Sequence, residues 1–203
     1  MSWLERVHET RIHGRRVRRL AEAAARLAPP GLAVLDLGCG DGRLGAALGR
    51  LRPDLKISGA EVAPRRDCQI PVSAFDGRRL PFADGHFGAV LLADVLHHAG
   101  SPALLLGEAI RVAREVILLK DHDCRGWGAR ATLRFMDGVG NRRHGVPLPD
   151  HYLAREQWRQ LWAELGLTLE AADLLPGLYP FPANLIFGRN LHFFARLRKR
   201  VGR

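Results

Sequence analysis

In the segment Val34-Leu35-Asp36-Leu37-Gly38-Cys39-Gly40-Asp41-Gly42, a short apolar run breaks into closely spaced glycines, and this pattern is the strongest indication of the fold. A helix-like segment follows at 43–51. Glycine has no Cβ and permits positive φ, so a ligand can approach the main chain directly at such a turn. The pattern predicts a strand, a glycine turn and a helix that together bind a nucleotide-like ligand. The alternative is a tight turn that binds nothing.

The glycine spacing differs from the dinucleotide-binding pattern, because the glycines alternate and the acid Asp36 lies inside the strand end. The segment from Asp36 to Gly42 instead resembles the first motif of class I S-adenosylmethionine-dependent methyltransferases. The resemblance covers about residues 30–120 and is looser beyond them. Further motifs follow in the family's order at Glu61, at Phe75-Asp76-Gly77 and at Ala93-Asp94-Val95-Leu96-His97-His98.

Strand-like and helix-like segments alternate through the first 120 residues. We predict one long helix or two shorter ones at 3–27, strands at 32–37, 56–62, 71–75, 88–93 and 115–120, and helices at 43–51 and 102–112. Nearly continuous apolar strands between helices indicate a parallel sheet covered on both faces. The fold class is therefore a doubly wound α/β sandwich. The resemblance implies a Rossmann-like seven-stranded sheet whose last strands, at 168–174 and 191–197, form an antiparallel hairpin at its edge.

The length of 203 residues suits one methyltransferase domain over 1–203, with an N-terminal helical segment at 1–28. The regular alternation stops after the fifth strand, where 121–152 is rich in Gly, Arg and His and includes a short helix near 129–136. A long segment that interrupts the alternation of strands and helices usually serves a function such as ligand binding. We expect it to form a lid over the acceptor, ahead of a helix at 154–165.

The resemblance also implies how S-adenosylmethionine and its product S-adenosylhomocysteine are held. Asp36 would accept from the cofactor's ammonium group directly or through water, Glu61 would grip the two ribose hydroxyls, and Asp76 would accept from the adenine amino group with help from the Gly77 N–H. The first residues after the fourth strand would line the wall near the sulfonium. The expected cofactor-binding residues are Asp36, Gly38, Cys39, Gly40, Glu61, Val62, Phe75, Asp76, Gly77, Ala93 and Asp94.

Methyl transfer from a sulfonium is an in-line displacement that needs position more than a dedicated base. If the acceptor is a hydroxyl, a positioned histidine would help by removing its proton. The sequence predicts His122 as this catalytic residue, with His98 as a second candidate and Asp121 as an orienting partner. His97 and His144 are further candidates, and a structural role is the alternative for each.

The three cysteines and the run from Asp121 to Cys124 do not predict a metal site, because adjacent residues seldom point at one centre. The cysteines lie far apart in the sequence and are expected to be free thiols. We therefore expect no metal.

The formal net charge is +10, and arginines crowd both ends of the chain. Basic ends can attract anionic lipid headgroups, a phosphopantetheine-bearing carrier protein or nucleic acid, or they can simply face water. The aromatic and apolar stretch from Tyr179 to Phe194 beside the basic tail also suits an interface. No apolar run reaches the length of a membrane span and the N-terminus lacks a secretory pattern, so we expect a cytoplasmic protein with membrane association at the periphery.

The leading hypothesis is S-adenosylmethionine-dependent methyl transfer to a small-molecule, polyketide-like or lipid-like acceptor, free or tethered to a carrier. The alternatives are an RNA methyltransferase and a non-catalytic nucleotide-binding scaffold. Nucleic acid is the weaker acceptor, since no Asn-Pro-Pro-Tyr-like motif follows the fourth strand. The sequence leaves open whether oxygen, nitrogen or carbon receives the methyl group.

Overall fold

A computed structural model describes residues 12–141, 152–173, 175 and 177–200, with the side chains of 139–141 left aside. The helices are α1 (Gly14–Leu27), α2 (Arg43–Leu51), α3 (Pro102–Val112), α4 (Ala129–Asn141), α5 (Arg155–Glu164) and α6 (Ala183–Phe187). The strands are β1 (Ala33–Leu37), β2 (Lys56–Glu61), β3 (Val72–Ala74), β4 (Phe87–Ala93), β5 (Ala113–His122), β6 (Leu167–Asp173) and β7 (His192–Lys199). A 3₁₀ turn spans Leu96–His98.

All seven strands form one sheet in the order β3-β2-β1-β4-β5-β7-β6. The first five pair in parallel, whereas β7 runs antiparallel to both β5 and β6. The predicted doubly wound fold and its antiparallel C-terminal hairpin are therefore confirmed. Strand order reverses between β1 and β4, and ligands of such sheets lie beyond the carboxyl ends of the strands at that point.

Side chains on the central strands alternate between two buried layers, because successive residues of a strand point to opposite faces. Leu35, Val90 and Ile117 pack on one face under α3 and α5. Val34, Leu91 and Leu118 pack on the other face under α1 and α2. Helix α3 begins as its sequence predicts, with Pro102 in the first turn and the Ser101 Oγ accepting the Leu104 N–H at 3.4 Å. The two layers fix the strand ends that carry the site.

The fifth strand is longer than the sequence predicts. It runs from Ala113 to His122 instead of 115–120, and its last two residues, Asp121 and His122, pair with Phe193 and His192 of β7. Polar residues such as these are typical of a loop, but pairing with the antiparallel strand β7 satisfies the hydrogen bonding of their main-chain groups. The insert therefore begins after His122 and not at residue 121.

Other boundaries differ in smaller ways. The helix predicted near 129–136 continues to Asn141, and the predicted N-terminal helix is seen over Gly14–Leu27. Residues 1–11 and 142–151 lie outside the described residues, so the first part of that helix and the lid role of the insert stay predictions. Among the described helices, none combines the length and the apolar character needed to cross a membrane.

Candidate functional site

The turn after β1 leaves its main chain open to a ligand. Gly38, Gly40 and Gly42 have φ values of 73°, 58° and 73°, which favour glycine. A Cβ on Gly38 would lie 2.6 Å from Val95 Cγ2, and one on Gly42 would lie 2.8 Å from Cys68 Sγ. A Cβ on Gly40 would meet no described atom within 4 Å. The outer glycines thus allow close packing of the turn, whereas Gly40 borders open space.

Asp36 lies beneath this turn with only 2% of its surface exposed. It accepts a hydrogen bond from the Gly45 N–H in the first turn of α2, while its Oδ2 atom has no hydrogen-bond partner in the described structure. Burial raises the pKa of Asp36 to about 7, and the nearby Glu61 and Asp41 add to the rise. A buried carboxyl with an unpaired oxygen suits a cationic group of a ligand.

Glu61 ends β2 and reaches the same turn. Its Oε2 accepts the Gly40 N–H at 2.8 Å and its Oε1 accepts the Val62 N–H at 2.8 Å. The structure therefore brings together three predicted cofactor positions, Asp36, Gly40 and Glu61. Cys39 lies between them, and burial together with Asp36 raises the pKa of its thiol.

The end of β3 supplies the next predicted positions. Asp76 Oδ1 accepts the N–H groups of Arg78 and Arg79, both at 2.8 Å, and these bonds lower the pKa of Asp76. Gly77 follows with a φ of 78°. Phe75 is half-buried, whereas Asp76 and Gly77 are exposed at the rim of the site. Their predicted contact with adenine stays a prediction.

Polar side chains gather beyond the ends of β4 and β5. We call this group the polar cluster; it comprises Asp94, His97, His98, Lys120, Asp121, His122, Asp137 and Tyr152. Val95, between Asp94 and His97, packs against Gly38. The polar cluster therefore lies next to the glycine turn.

His97 and Asp121 form a buried pair at the centre of the cluster. His97 Nδ1 lies 2.7 Å from Asp121 Oδ1, and neither side chain is more than 1% exposed. Burial alone would lower the pKa of His97, but the Asp121 carboxylate outweighs it and raises that pKa. Because the carboxylate accepts, the Nδ1 atom carries the proton. The Nε2 atom has no hydrogen-bond partner in the described structure and lies 3.8 Å from Asp137 Oδ2.

Asp94 is held by two cations. Its Oδ2 lies 2.8 Å from Arg16 Nη2 of α1, and its Oδ1 accepts from the ammonium of Lys120, which is fully buried. Burial would raise the pKa of Asp94, but Lys120 and Arg16 hold that pKa well below its ordinary value. Asp94 itself adopts a φ of 60°. These ion pairs join α1 to the ends of β4 and β5.

The histidines predicted as catalytic both lie in the cluster. His122 is 2% exposed, with its Nε2 3.7 Å from Asp94 Oδ1, and burial together with Lys120 lowers its pKa. Burial and His97 likewise lower the pKa of His98. Asp121, the predicted orienting residue, has its Oδ1 2.7 Å from His97 Nδ1 and 3.6 Å from His122 Nδ1, and it also accepts the main-chain N–H of His122 at 2.7 Å. His144 lies outside the described residues.

The pairing of His97 with Asp121 could have been foreseen from one signal. His97 follows β4 and Asp121 lies near the end of the neighbouring parallel strand β5. Ala93, the last residue of β4, lies opposite Lys120 of β5. What the sequence does not reveal is the contribution of α4 and of Tyr152. The Tyr152 hydroxyl donates to Asp137, and its ring stacks 5.9 Å from that of His97.

Two triplets in the cluster have metal-binding residue types, although the sequence predicts no metal. They are Asp94, His97 and His122, and His97, His98 and Asp137, with candidate ligand atoms within 4.8 Å of one another in each triplet. The Asp94 carboxylate is already paired with two cations, which opposes a third. The Asp137 carboxylate accepts from Tyr152.

A seven-stranded sheet of this order, with a glycine turn after β1 and an acid at the end of β2, defines a Rossmann-like nucleotide-binding domain. Residues 8–172 match a family model described as a methyltransferase domain. The chain belongs to this family of S-adenosylmethionine-dependent methyltransferases.

Relatives with curated names are methyltransferases. An uncharacterized methyltransferase of Mycobacterium sp. (strain KMS) is 35% identical over 102 residues, which are 47% of this chain and 40% of the relative. A demethylmenaquinone methyltransferase of Renibacterium salmoninarum is 35% identical over 153 residues, 69% of this chain and 64% of the relative. The matches therefore span less than two thirds of either relative's length.

One similar solved structure is the 1,6-didemethyltoxoflavin-N1-methyltransferase of Burkholderia thailandensis, which holds its substrate and S-adenosylhomocysteine. It superposes with a TM-score of 0.64 over 92% of this chain and 79% of that protein, at 15% sequence identity. At that identity the likeness concerns the fold.

Proposed function

We propose that the protein transfers a methyl group from S-adenosylmethionine to a small, lipid-like acceptor. The observation that carries the proposal is the convergence of the open Gly40 main chain, the unpaired oxygen of buried Asp36 and the Glu61 carboxylate at one sheet edge. The residues fit the cofactor by charge and by space. S-adenosylmethionine, when bound, supplies a methyl group activated by its sulfonium.

Each of these residues has a distinct task in the proposal. Asp36 faces the ammonium group of the cofactor, and the glycine turn lets the methionine portion approach the backbone. Glu61 exchanges its bonds to the Gly40 and Val62 amides for the ribose hydroxyls. Asp76 and Gly77 hold the adenine at the rim, with Ala93 at the end of β4 as part of the wall.

The polar cluster supplies the base for a hydroxyl-bearing acceptor. Asp121 fixes the proton on Nδ1 of His97 and leaves Nε2 to accept a proton from the acceptor. Loss of that proton increases electron density on the hydroxyl oxygen and, in a phenol or hydroquinone, on the adjacent ring carbons. His122 and His98 line the space around His97, and the proposal leaves the methylated atom open.

The acceptor class rests on chemistry and on one relative. A hydroquinone with an apolar tail offers a hydroxyl to His97, and the Renibacterium relative is a demethylmenaquinone methyltransferase. A cytoplasmic location, and contact of the basic chain ends with a carrier protein or a membrane, belong to the same proposal. Several basic residues near the chain ends already form ion pairs within the protein, among them Arg16 with Asp94 and both Arg196 and Arg198 with Glu170. The proposed contact therefore rests on the charge of the remaining basic residues.

A transfer assay tests the function. The protein is incubated with S-adenosylmethionine labelled in its methyl group and with chemically reduced demethylmenaquinone in detergent, and the organic phase is counted. We expect label in the quinone fraction, and at least about a hundredfold less in the same time from a His97→Gln variant. Binding of S-adenosylhomocysteine without transfer would overturn the acceptor class. Absence of both binding and transfer would overturn the proposed function and leave the scaffold hypothesis.

A further inference from the structure

Large apolar side chains are exposed together on one part of the surface. Within the described residues nine such side chains are exposed, and five of them lie around α4 and α6. We call these five the aromatic face: Trp127 (96% exposed), Phe135 (61%), Phe181 (83%), Leu185 (67%) and Ile186 (55%). Single exposed apolar residues are ordinary, but a concentration of them marks a site of interaction.

The two helices form one continuous surface. Phe135 of α4 stacks on Phe187 of α6 with ring centroids 6.1 Å apart. Arg189, just after α6, donates from Nη2 to the Thr132 hydroxyl of α4 at 3.2 Å. Beneath them Leu133 and Leu191 share a small buried core. Packing on its inner side therefore holds the aromatic face in place, and its outer side is exposed.

The exposed charged side chains around the aromatic face are positive. The segments 124–141 and 177–191 contain four arginines, Arg125, Arg130, Arg134 and Arg189, and one acid, Asp137. All four arginines are exposed, and one of them, Arg125, forms an ion pair with the buried Asp123 at 3.0 Å; Asp137 is buried and accepts from Tyr152. Exposed aromatic side chains surrounded by arginines match the boundary of a bilayer that carries anionic headgroups.

We propose that the aromatic face binds the surface of a membrane that contains anionic lipids. Its apolar side chains enter the boundary between headgroups and acyl chains, and its arginines contact lipid phosphates. A nucleic acid would use the arginines but would leave Leu185 and Ile186 in water, so the composition favours a lipid surface over a polyanion alone.

The aromatic face also leads towards the polar cluster. Phe187, which contacts Phe135 on the outside, lies 5.9 Å from the Tyr179 ring, and Tyr179 lies 5.7 Å from His192. His192 in turn lies 5.1 Å from His122. Insofar as the proposed function holds, these successive ring contacts place the aromatic face close to the polar cluster that would receive a membrane-borne apolar acceptor.

Vesicle co-sedimentation tests the membrane contact without cofactor or acceptor. We expect the protein to sediment with vesicles of equal parts phosphatidylcholine and phosphatidylglycerol, and much less with phosphatidylcholine alone or at high salt. A Trp127→Ala/Phe181→Ala variant should bind the anionic vesicles about tenfold more weakly, since each lost contact removes apolar area from the interface. Leu104→Ala, a matched control on α3 where the side chain is 72% exposed, should bind normally.

Two double variants that remove the same charge distinguish binding by the aromatic face from general electrostatic attraction of the protein to the vesicles. Arg130→Gln/Arg134→Gln should weaken vesicle binding, whereas Arg114→Gln/Arg159→Gln removes the same charge from exposed positions elsewhere and should weaken it much less. Equal losses in the two pairs, or no sedimentation of the unaltered protein, would overturn the proposal. So would analytical ultracentrifugation that finds a dimer abolished by Trp127→Ala/Phe181→Ala, which would make the aromatic face an interface between two copies.

The outcome is independent of the cofactor. Binding of S-adenosylhomocysteine by the same variants reports on the proposed function. Retained cofactor binding with no vesicle binding would contradict only the membrane proposal.

Discussion

At the scale of the residue, the pairing of His97 with Asp121 gives the clearest chemical expectation. We expect His97→Gln to lower kcat by roughly a hundredfold to ten-thousandfold, the usual contribution of a general base, with little change in cofactor affinity. Because the Asp121 carboxylate raises the pKa of His97, kcat of the unaltered protein should rise with pH along a limb above 6.5. Stopped-time assays across pH measure both effects.

The control for this variant is His86→Gln, because His86 lies in the turn before β4, at the opposite edge of the sheet. It should leave kcat and the limb unchanged. An unaltered pH profile in His97→Gln would show that another group holds the proton.

Asp36 makes cofactor affinity depend on pH. Burial raises its pKa to about 7, so the carboxyl is largely protonated at lower pH, and a ligand cation favours the ionised form. Affinity for S-adenosylhomocysteine should therefore increase as pH rises towards 7, by up to about tenfold per pH unit, and level off above it. Calorimetry at several pH values measures this. In Asp36→Asn the dependence should vanish; its persistence there would assign it to another group.

At the scale of the element, two glycines of the turn after β1 have different roles: Gly38 allows close packing, whereas Gly40 leaves space for a ligand. Gly40→Ala places a methyl group where no described atom lies within 4 Å, so its cost to stability is the left-handed strain of about 1 to 2 kcal/mol. Gly38→Ala adds a clash with Val95 to the same strain. We expect Gly40→Ala to lose cofactor affinity and unfold at a higher temperature than Gly38→Ala. Thermal melts and calorimetry compare the two, and normal affinity in Gly40→Ala would remove the turn from the site.

The strand ends that hold the cofactor could be predicted because their signals are local. An apolar run breaks at Gly38, a second short strand-like segment ends near Glu61, and the structure ends β1 and β2 at or within one residue of the predicted positions. The end of β5 could not be predicted in this way. Its last residues are polar, and only the distant β7 makes them part of the sheet.

At the scale of the whole molecule, the polar cluster combines parts that lie far apart in sequence. Asp137 comes from α4 and Tyr152 from the end of the insert, while Arg16 of α1 pairs with Asp94 from outside the cluster. The sequence alone predicts the histidines of this cluster and Asp121 as candidates, because they follow strand ends: His97, His98 and His122. The neighbouring ends of β4 and β5 place His97 near Asp121, but the burial of Lys120 against Asp94 could not be predicted, since that contact depends on the packing of both sheet faces.

The charge of the assembled cluster also predicts independence from metal ions. Asp94 is already paired with Lys120 and Arg16, and a divalent ion there would meet two like charges. We expect EDTA treatment to leave methyl transfer and thermal stability unchanged. Metal analysis of the purified protein serves as the control, and loss of activity that zinc or manganese restores would contradict the prediction.

Cofactor recognition by the whole protein is tested most directly by titrating it with S-adenosylhomocysteine in a calorimeter. We expect one site per chain, with affinity reduced by about 1 to 3 kcal/mol in Glu61→Ala, because the variant loses a charged hydrogen-bonding partner. Glu115→Ala, at the far end of β5, should match the unaltered protein. No heat and no thermal shift from the ligand, or equal affinity in Glu61→Ala, would contradict the account.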